Sequence, residues 1–259
     1  GHASFSFSRF KKLSFKESRI DMYLDLRVEN CEVIDLSDTI IRDIIDLQPI
    51  KDKVKIGLLY IHGMRNLGRF IIDWKRNNVK EMIKEQPETS FIEKAEQFNI
   101  LKENFHLNGQ YEEEDKSYIQ FKRFEQRNDI AEAKEMGVAG VLRRLFYIFR
   151  WIVFDKMGLY ATSPLRVLFS MIVVYVLFSL AYAILPILNL GVIVNSVGAT
   201  DGLNYLQTSF YHSAITFLTI GYGDFYPTGF SRALSVVEGW TGLFLMSYFT
   251  VAFVRKILR

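Results

Sequence analysis

Residues 216–224 read Thr-Phe-Leu-Thr-Ile-Gly-Tyr-Gly-Asp, and a long apolar stretch lies on each side of this motif. The stretch before it, residues 165–188, has one charged residue, Arg166, at its edge, and the stretch after it, residues 233–254, has only Glu238. At about 1.5 Å per residue, either stretch can cross a hydrocarbon core of roughly 30 Å as a helix. Buried helices of soluble proteins rarely contain more than about 20 consecutive apolar residues, so we expect two membrane-spanning helices.

Positive charges lie on one side of the two apolar stretches. No Lys or Arg occurs between Ile187 and Ser231, whereas basic residues precede the first stretch and follow the second. Because basic segments tend to stay in the cytoplasm, both termini are expected there and the protein is expected in the cell membrane. Residues 189–231 then face the outside or dip into the lipid bilayer.

Charge also divides the chain into a soluble part and an apolar part. Only seven Lys, Arg, Asp and Glu residues follow Arg166 in the 259-residue sequence. The formal net charge of +3 is too small to indicate nucleic acid as a partner. The single cysteine, Cys31, excludes an intrachain disulfide and a multi-cysteine metal site. The sequence has no nucleotide-binding loop and no catalytic constellation, so we expect neither an enzyme nor an organic cofactor.

The segment Thr-Ile-Gly-Tyr-Gly-Asp at 219–224 resembles the selectivity filter of two-transmembrane potassium channels. That filter reads T-V-G-Y-G-D, with Ile tolerated in the second place, and the resemblance extends over roughly residues 140–259. It implies a homotetramer in which rings of backbone oxygens replace the water shell of K⁺. The implied ion-binding residues are the first five of the motif: Thr219, Ile220, Gly221, Tyr222 and Gly223. Potassium ions are expected at the first four of these residues.

The residue types of the motif suit this chemistry. Successive carbonyls can point at one axis only with unusual dihedrals, which Gly221 and Gly223 adopt without a Cβ clash. Thr219 can add its hydroxyl below the carbonyl rings. Tyr222 is expected to point away from the pore and to brace the loop.

Residues 204–218 are expected to form a pore helix that ends at the filter. Asp201 and Asn204 are the two candidate N-caps, and the C-terminal end of the helix would direct partial negative charge at the ion path. The family places an aromatic residue at the position of Tyr211, where it bonds the Asp that follows the filter. The resemblance therefore implies a brace between Tyr211 and Asp224, with packing alone as the alternative role of Tyr211.

One departure from the family pattern lies behind the filter. Many relatives carry Glu in the pore helix where this chain has Ile215. Glu238, near the outer end of the second span, is the only acid in that neighbourhood, and an ionisable residue at membrane depth is a functional candidate. Glu238 is therefore predicted to support the filter from behind; the alternative is a side chain that reaches the outer interface. His212 is interpreted as a packing or subunit-contact residue.

The inner helix, predicted over 232–257, should line the lower pore. Alignment with the family on Pro227 places Gly242 at the hinge position. Residues below this hinge recur at three- and four-residue steps and form the predicted gate: Met246, Phe249, Thr250 and Phe253. Aromatic residues there can close a pore by dewetting. The alternative is that Phe249 and Phe253 pack against the outer helix.

A basic amphipathic segment precedes the first span. Residues 141–154 combine three arginines with apolar side chains and are too short and too charged to cross a bilayer. The pattern favours a helix that lies in the cytoplasmic interface. The family often has such a slide helix, which couples a cytosolic domain to the gate, so regulation by the soluble part is expected to act through residues 136–164.

An apolar residue recurs every five positions near the N-terminus, with one shift by a single residue. The series is Phe5, Phe10, Phe15, Ile20, Leu26, Cys31, Leu36 and Ile41. It resembles pentapeptide repeats, which implies a short right-handed β-helix of about two coils with Cys31 buried and inert. Residues 54–74 are predicted to add strands that cap this solenoid, with Gly63 and Gly68 at turns. Two or three ordinary strands are the alternative, and Gly1–Ser4 is interpreted as a cloning remnant.

Two helices are predicted after the strands. The sequence from Ser90 to Glu93 is a capping box, and Asn108 with Gly109 should end the first helix. The acidic run at 112–115 lacks the loop of a Ca²⁺ site and is interpreted as a solvated helix N-terminus. Some potassium channels of bacteria and archaea join pentapeptide repeats, a helical hairpin and a two-span pore in this order. The whole chain resembles that arrangement, which implies a prokaryotic membrane.

The expected fold is a multi-domain membrane protein. Its predicted parts are a strand-rich cytosolic domain over 1–74, a helical hairpin over 75–135, a slide helix and turn over 136–164, and an α-helical two-span pore domain over 165–259. The expected function is potassium-selective conduction, gated at the inner-helix bundle and modulated by the N-terminal domain. A poorly selective cation channel and a membrane-anchored scaffold with a non-conducting pore are the alternatives.

Overall fold

The structure, a computed structural model of the chain, describes residues 2–49, 55–135, 139–196, 198 and 202–258. The chain divides into two compact units, residues 1–150 and residues 151–259. The first unit combines short strands with helices, and the second combines helices with a small two-stranded antiparallel sheet.

The strands of the first unit wind into a solenoid. Neighbouring strands are parallel throughout, in sheets with the orders β1-β4-β7-β10, β2-β5-β8 and β3-β6-β9. The strands are β1 Ala3–Ser4, β2 Arg9–Ser14, β3 Arg19–Ile20, β4 Leu24–Asp25, β5 Asn30–Asp35, β6 Ile40–Ile41, β7 Ile44–Asp46, β8 Lys55–Tyr60, β9 Arg65–Asn66 and β10 Arg69–Ile71. Each sheet takes one strand from successive coils, so the chain makes about three coils.

The five-residue repeat forms the core of this solenoid. Phe10 pairs with Cys31, which pairs with Ile56, and Ile20 pairs with Ile41. Leu26, Cys31, Leu36 and Ile41 are fully buried. Burial of the Cys31 thiol raises its pKa, as expected for an unreactive core cysteine. The prediction of a short pentapeptide-like β-helix is therefore confirmed.

The predicted number of coils was too small. Residues 55–71 form the third coil itself and do not cap a two-coil solenoid. The repeat was hard to follow there because positions 46, 51 and 66 of the series are polar. Gly68 lies against the Asp43 carbonyl of the coil beneath, where a side chain would clash. Gly63 has a positive φ of 67° at a turn, as predicted.

Two helices cover the end of the solenoid: α1 Val79–Lys84 and α2 Phe91–Leu107. Side-chain amides of this region bond the backbone of the last coil. Gln97 Oε1 accepts from the Ile61 amide at 3.1 Å, Asn104 Nδ2 donates to the Phe70 carbonyl at 2.8 Å, and Gln86 Nε2 donates to the Leu59 carbonyl. These bonds satisfy backbone groups that a further strand would otherwise take.

The helical hairpin follows as predicted. The Ser90–Glu93 capping box begins α2, and Gly109, with a φ of 69°, lies in the turn before α3 Tyr111–Glu135. Phe98 of α2 stacks on Phe124 of α3 with ring centroids 5.6 Å apart. Helix α4, Ala139–Arg150, packs on α3 through its polar face. There the Arg150 guanidinium lies 3.5 Å from Asp129.

The second unit contains two helices that are long and apolar enough to cross a membrane, α5 Pro164–Ile184 and α7 Ser231–Ile257, with mean hydropathies of 2.5 and 1.3. A π-helical turn, Trp151–Lys156, precedes α5. Between the spans lie β11 Ile193–Asn195, α6 Tyr205–Phe217 and β12 Phe225–Pro227. Helix α5 ends four residues before the predicted end at 188, because Pro186 cannot continue it.

A buried charge cluster joins two coils of the solenoid. Asp25 and Asp46 are register neighbours, and both are buried. Arg27 donates to the two oxygens of Asp25 at 2.8 Å each, and its Nε lies 3.6 Å from Asp46. The hydrogen bonds from Arg27 hold the pKa of Asp25 below its ordinary value.

Replacing Arg27 by Gln should therefore loosen the solenoid, because two neighbouring carboxylates lose their shared cation. We expect a cost of about 1–2 kcal/mol, which speeds amide hydrogen exchange around Leu26 and Gln48 roughly 5- to 30-fold. A lowered carboxyl pKa stabilises the fold above the pKa of an unfolded Asp and stops doing so as the pH falls through the folded-state pKa. The parent and the variant should therefore converge in acid.

Mass-spectrometric hydrogen exchange on the full chain measures this effect. Arg9→Gln is the matched control, since Arg9 forms an exposed ion pair with Glu29 that should contribute less than about 1 kcal/mol. Equal exchange rates in the two variants would contradict a structural role for the buried cluster.

Candidate functional site

Helix α6 leads into the Thr219–Asp224 motif, and a capping box forms its N-terminus. Asn204 Oδ1 accepts from the Gln207 amide at 2.9 Å, and Gln207 Oε1 accepts from the Asn204 amide at 3.0 Å. Asn204 is therefore the N-cap of α6; the other candidate, Asp201, lies outside the described residues. The helix ends at Phe217, so its C-terminal carbonyls lie at the start of the motif.

The sign of the backbone angle φ alternates along the motif. Thr219, Gly221 and Gly223 have positive φ values of 56°, 64° and 79°, whereas Ile220 and Tyr222 between them do not. A methyl group added to Gly221 or Gly223 would meet no atom of the described chain within 4 Å. Within one chain, glycine is thus favoured at these positions by the dihedral angle and not by lack of space.

The first amides of the motif are tied to the end of α6. The Ile220 amide donates to the Ile215 carbonyl at 2.8 Å, and the Gly221 amide donates to the same oxygen at 3.3 Å. Residue 215, where the chain departs from the family pattern, therefore holds the motif through its main chain. Its isoleucine side chain is buried.

The structure brings Tyr211 and Asp224 together. The Tyr211 hydroxyl donates to Asp224 Oδ2 at 2.7 Å, and the Phe225 amide donates to Asp224 Oδ1 at 3.0 Å. The Tyr211 ring also contacts the Phe225 ring edge-on, with centroids 5.6 Å apart. The residue after the glycines is thereby held from the side of α6.

A small two-stranded antiparallel sheet holds the C-terminal end of the motif. Strand β12, directly after Asp224, pairs with β11. The amide and the hydroxyl of Ser196 both donate to the Asp224 carbonyl, at 2.8 Å and 3.0 Å. The sequence does not predict this two-stranded sheet, because strands of three residues that lie some thirty positions apart leave no periodicity to detect.

The Glu238 carboxylate lies at the junction of α5, α6 and α7. It is 0% exposed, and it accepts hydrogen bonds from the Tyr182 hydroxyl at 2.7 Å and the Ser213 hydroxyl at 2.5 Å. The Ser235 hydroxyl lies 2.9 Å from the Tyr182 oxygen and 3.0 Å from His212 Nε2. The Glu238 side chain is thus enclosed between the three helices, and its role in supporting the filter stays a prediction.

Residues 170–259 match the family model described as an ion channel. This part of the chain is an ion channel domain. The matched range begins within α5 and includes α6, the Thr219–Asp224 motif and α7. No curated protein and no solved structure matches the chain.

In the channel domain, Gly242 is required for close packing. A methyl group at this position would overlap the carbonyl oxygen of Phe217 at the end of α6. Helix α7 continues without a break through Gly242, which is buried. The hinge role of Gly242 stays a prediction, whereas its packing role follows directly from the contact with Phe217.

The predicted gate residues of the channel domain do not share one environment. Phe249 packs against the cluster of Val167, Tyr248 and Ala252, which fits the alternative of packing between helices. Phe253 is exposed and stacks on Phe249 with centroids 5.8 Å apart. Thr250 is exposed and Met246 is half-buried. Their function as a gate stays a prediction.

Replacement of Glu238 tests whether its carboxylate holds the channel domain together. Glu238→Leu leaves the Tyr182 and Ser213 hydroxyls without their acceptor, which should cost about 1–3 kcal/mol and lower the melting midpoint in detergent by roughly 3–10 °C. Glu238→Gln keeps one oxygen acceptor and should lose less.

The double variant Glu238→Leu with Ser213→Ala is the matched control. It removes one of the two stranded hydroxyls and should melt above Glu238→Leu alone. A Glu238→Leu variant as stable as the parent would show that these hydrogen bonds do not stabilise the domain.

Proposed function

We propose that the chain is one subunit of a homotetrameric potassium-selective channel, with four copies of Thr219–Gly223 around one ion path. The observation that carries the proposal is the alternating sign of φ in this segment, together with the Ile220 and Gly221 amides that bond the end of α6. In a strand, successive carbonyls point to opposite sides. A left-handed residue at every second position turns successive carbonyls to the same side of the segment. Because the amides face α6, this is the side away from α6.

The chemistry of ion selection follows from such a row of oxygens. A potassium ion loses its water shell only if ligands of similar strength replace it, and rings of carbonyl oxygens do so. The proposed potassium ligands are Thr219, Ile220, Gly221 and Tyr222, with the Thr219 hydroxyl at the inner end. The C-terminal end of α6 adds partial negative charge near the path.

A single subunit supplies only one quarter of each oxygen ring. Exposure of the motif in one chain supports assembly with further copies, since the Tyr222 side chain is 70% exposed and Ile220 is 48% exposed. Large apolar residues of this kind are usually covered in the functional protein. Four copies also fit the two-span architecture, in which α7 of each subunit would line the lower pore.

The remaining residues are proposed to hold and gate this path. Asp224, Tyr211 and Glu238 support the filter through the contacts described above. Gly242 is the proposed hinge, and the gate comprises Met246, Phe249, Thr250 and Phe253. Closure would occur by dewetting of the apolar constriction.

We also propose that the channel lies in a prokaryotic cell membrane with both termini in the cytoplasm, as the distribution of Lys and Arg indicates. The solenoid and hairpin would then be cytosolic and would modulate the gate through residues 136–164. Assembly of the tetramer is the alternative role of this unit. A poorly selective channel and a non-conducting scaffold remain as outcomes of the experiment below; an enzyme is not proposed.

Ion flux from liposomes tests the proposal. Liposomes that contain the purified chain should release K⁺ when they are loaded with potassium. The same liposomes should retain Na⁺ when they are loaded with sodium. Gly221→Ala forces a side chain into a left-handed conformation, which costs roughly 1–2 kcal/mol per subunit. Over four subunits, potassium flux should fall by more than about 100-fold.

Gly109→Ala is the matched control. Gly109 has a similar φ of 69° and also meets no atom within 4 Å, but it lies in the helical hairpin of the first unit. Its flux should equal that of the parent. No flux from the parent would favour the scaffold, equal K⁺ and Na⁺ flux would favour the poorly selective channel, and an active Gly221→Ala variant would place the path elsewhere.

A further inference from the structure

The linker between the π-helical turn and α5 contains an unusual backbone feature. Three consecutive residues that are not glycine, Leu159, Tyr160 and Ala161, have left-handed φ values of 48°, 57° and 62°. This conformation is sterically disfavoured for each of them, and such residues normally occur singly. A run of three persists only where the surroundings hold it, and strained segments of this kind concentrate at switch regions.

Tyr248, on α7, holds this left-handed turn. Its hydroxyl accepts a hydrogen bond from the Ala161 amide at 2.9 Å and donates one to the Phe154 carbonyl at 3.3 Å. The Tyr248 ring packs perpendicular to the Phe154 ring, with centroids 5.8 Å apart. The Tyr248 side chain is buried, so one residue of the inner helix bonds both the last residue of the left-handed turn and the π-helical turn before it.

The close fit of the linker on Tyr248 also explains a glycine. A methyl group at Gly158 would lie 2.5 Å from the Tyr248 ring and from its hydroxyl oxygen. The φ of Gly158 is not among the positive values, so this glycine is required by space and not by its dihedral angle. The linker is therefore seated directly against the tyrosine.

Further bonds fix the linker between the two spans. Arg255, about two turns beyond Tyr248 on α7, donates to the Tyr160 carbonyl at 3.3 Å. From α5, Arg166 donates to the Lys156 carbonyl at 2.9 Å, and Ser170 donates to the Met157 carbonyl at 3.0 Å. A movement of α7 in this region must either carry the linker with it or break its bond to Tyr248.

Tyr248 lies within the segment of α7 that contains the proposed gate. It follows Met246 and precedes Phe249, but it faces α5, in the cluster with Val167 and Ala252. Thr250 and Phe253 are exposed on the helix surface. The contact between Tyr248 and the linker is thus made at the level of the proposed gate, and Phe249 packs against the same cluster.

We propose that Tyr248 is a latch, a positioning residue that keeps the strained turn 159–161 bound to the unbent inner helix. This inference rests on the proposed function, in which α7 opens the pore by bending at Gly242. Release of the Tyr248 hydroxyl lets the turn relax toward ordinary dihedrals and frees α7 to bend. The latch therefore stabilises the closed channel, and the linker that leads from the slide helix into α5 is the element through which that stability is adjusted.

Two substitutions should have opposite effects. Tyr248→Phe keeps the ring and removes both hydroxyl bonds, so the ratio of open to closed time should rise roughly 5- to 10-fold. Ala161→Gly relieves the left-handed backbone and keeps the amide that bonds the Tyr248 hydroxyl, so the latched form should become more stable and the ratio of open to closed time should fall roughly 2- to 5-fold. Unitary conductance and ion selectivity should not change in either variant.

Single-channel recording and hydrogen exchange on the full chain measure these effects. Ser247→Ala is the matched control, because the neighbouring Ser247 hydroxyl bonds only the Leu243 carbonyl of its own helix among the contacts described, at 2.9 Å. Exchange of the Ala161 amide should speed up about tenfold in Tyr248→Phe and stay unchanged in the control.

The outcomes separate the latch from the proposed function. Unchanged exchange at Ala161 in Tyr248→Phe overturns the latch whether or not the protein conducts. An unchanged or lower open-to-closed ratio in Tyr248→Phe overturns its role in gating. A parent protein without channel currents refutes the proposed function, and the exchange result alone then decides whether Tyr248 holds the turn.

Discussion

The second unit is organised around a backbone segment that cannot adopt its conformation without support. Thr219, Gly221 and Gly223 lie in left-handed conformations within five residues, and Thr219 does so without the freedom of glycine. Such a segment lacks the regular hydrogen bonds of a strand or helix and leaves its carbonyl oxygens free for a ligand. Its conformation must therefore be held by neighbouring residues. In lipid, irregular backbone is tolerated only where protein or a water-filled cavity surrounds it.

The neighbours act from three directions. At the start of the segment, the Ile215 carbonyl accepts hydrogen bonds from the amides of Ile220 and Gly221. At the end of the segment, Asp224 is held by Tyr211 and by Ser196, the residue that follows β11. Behind it, the buried Glu238 bonds α6 to α5 and α7 through two hydroxyls. Because α6 carries most of these contacts, its position relative to α5 and α7 determines the geometry of the Thr219–Asp224 motif.

The sequence predicted the features that leave a periodic or compositional pattern. The five-residue series identified the solenoid, and the apolar stretches identified both spans. The third coil was misinterpreted as a cap because the series passes through polar residues such as Asn66. The pairing of β11 with β12 is not predicted, since three-residue strands carry no period. A turn is predicted before α5, but the left-handed conformation of three successive residues is not, since none of the three is glycine. Long-range partners such as Tyr182 and Glu238 depend on helix packing, which local pattern does not encode.

Potassium selectivity of the assembled filter is tested most directly by the reversal potential of the full-length protein in a planar bilayer. Equal concentrations of K⁺ on one side and Na⁺ on the other should give a reversal potential displaced by more than about 60 mV in the direction of K⁺ selectivity. That displacement corresponds to a preference of more than about tenfold for a univalent ion. A reversal potential near zero would contradict an oxygen-ring filter at Thr219–Gly223.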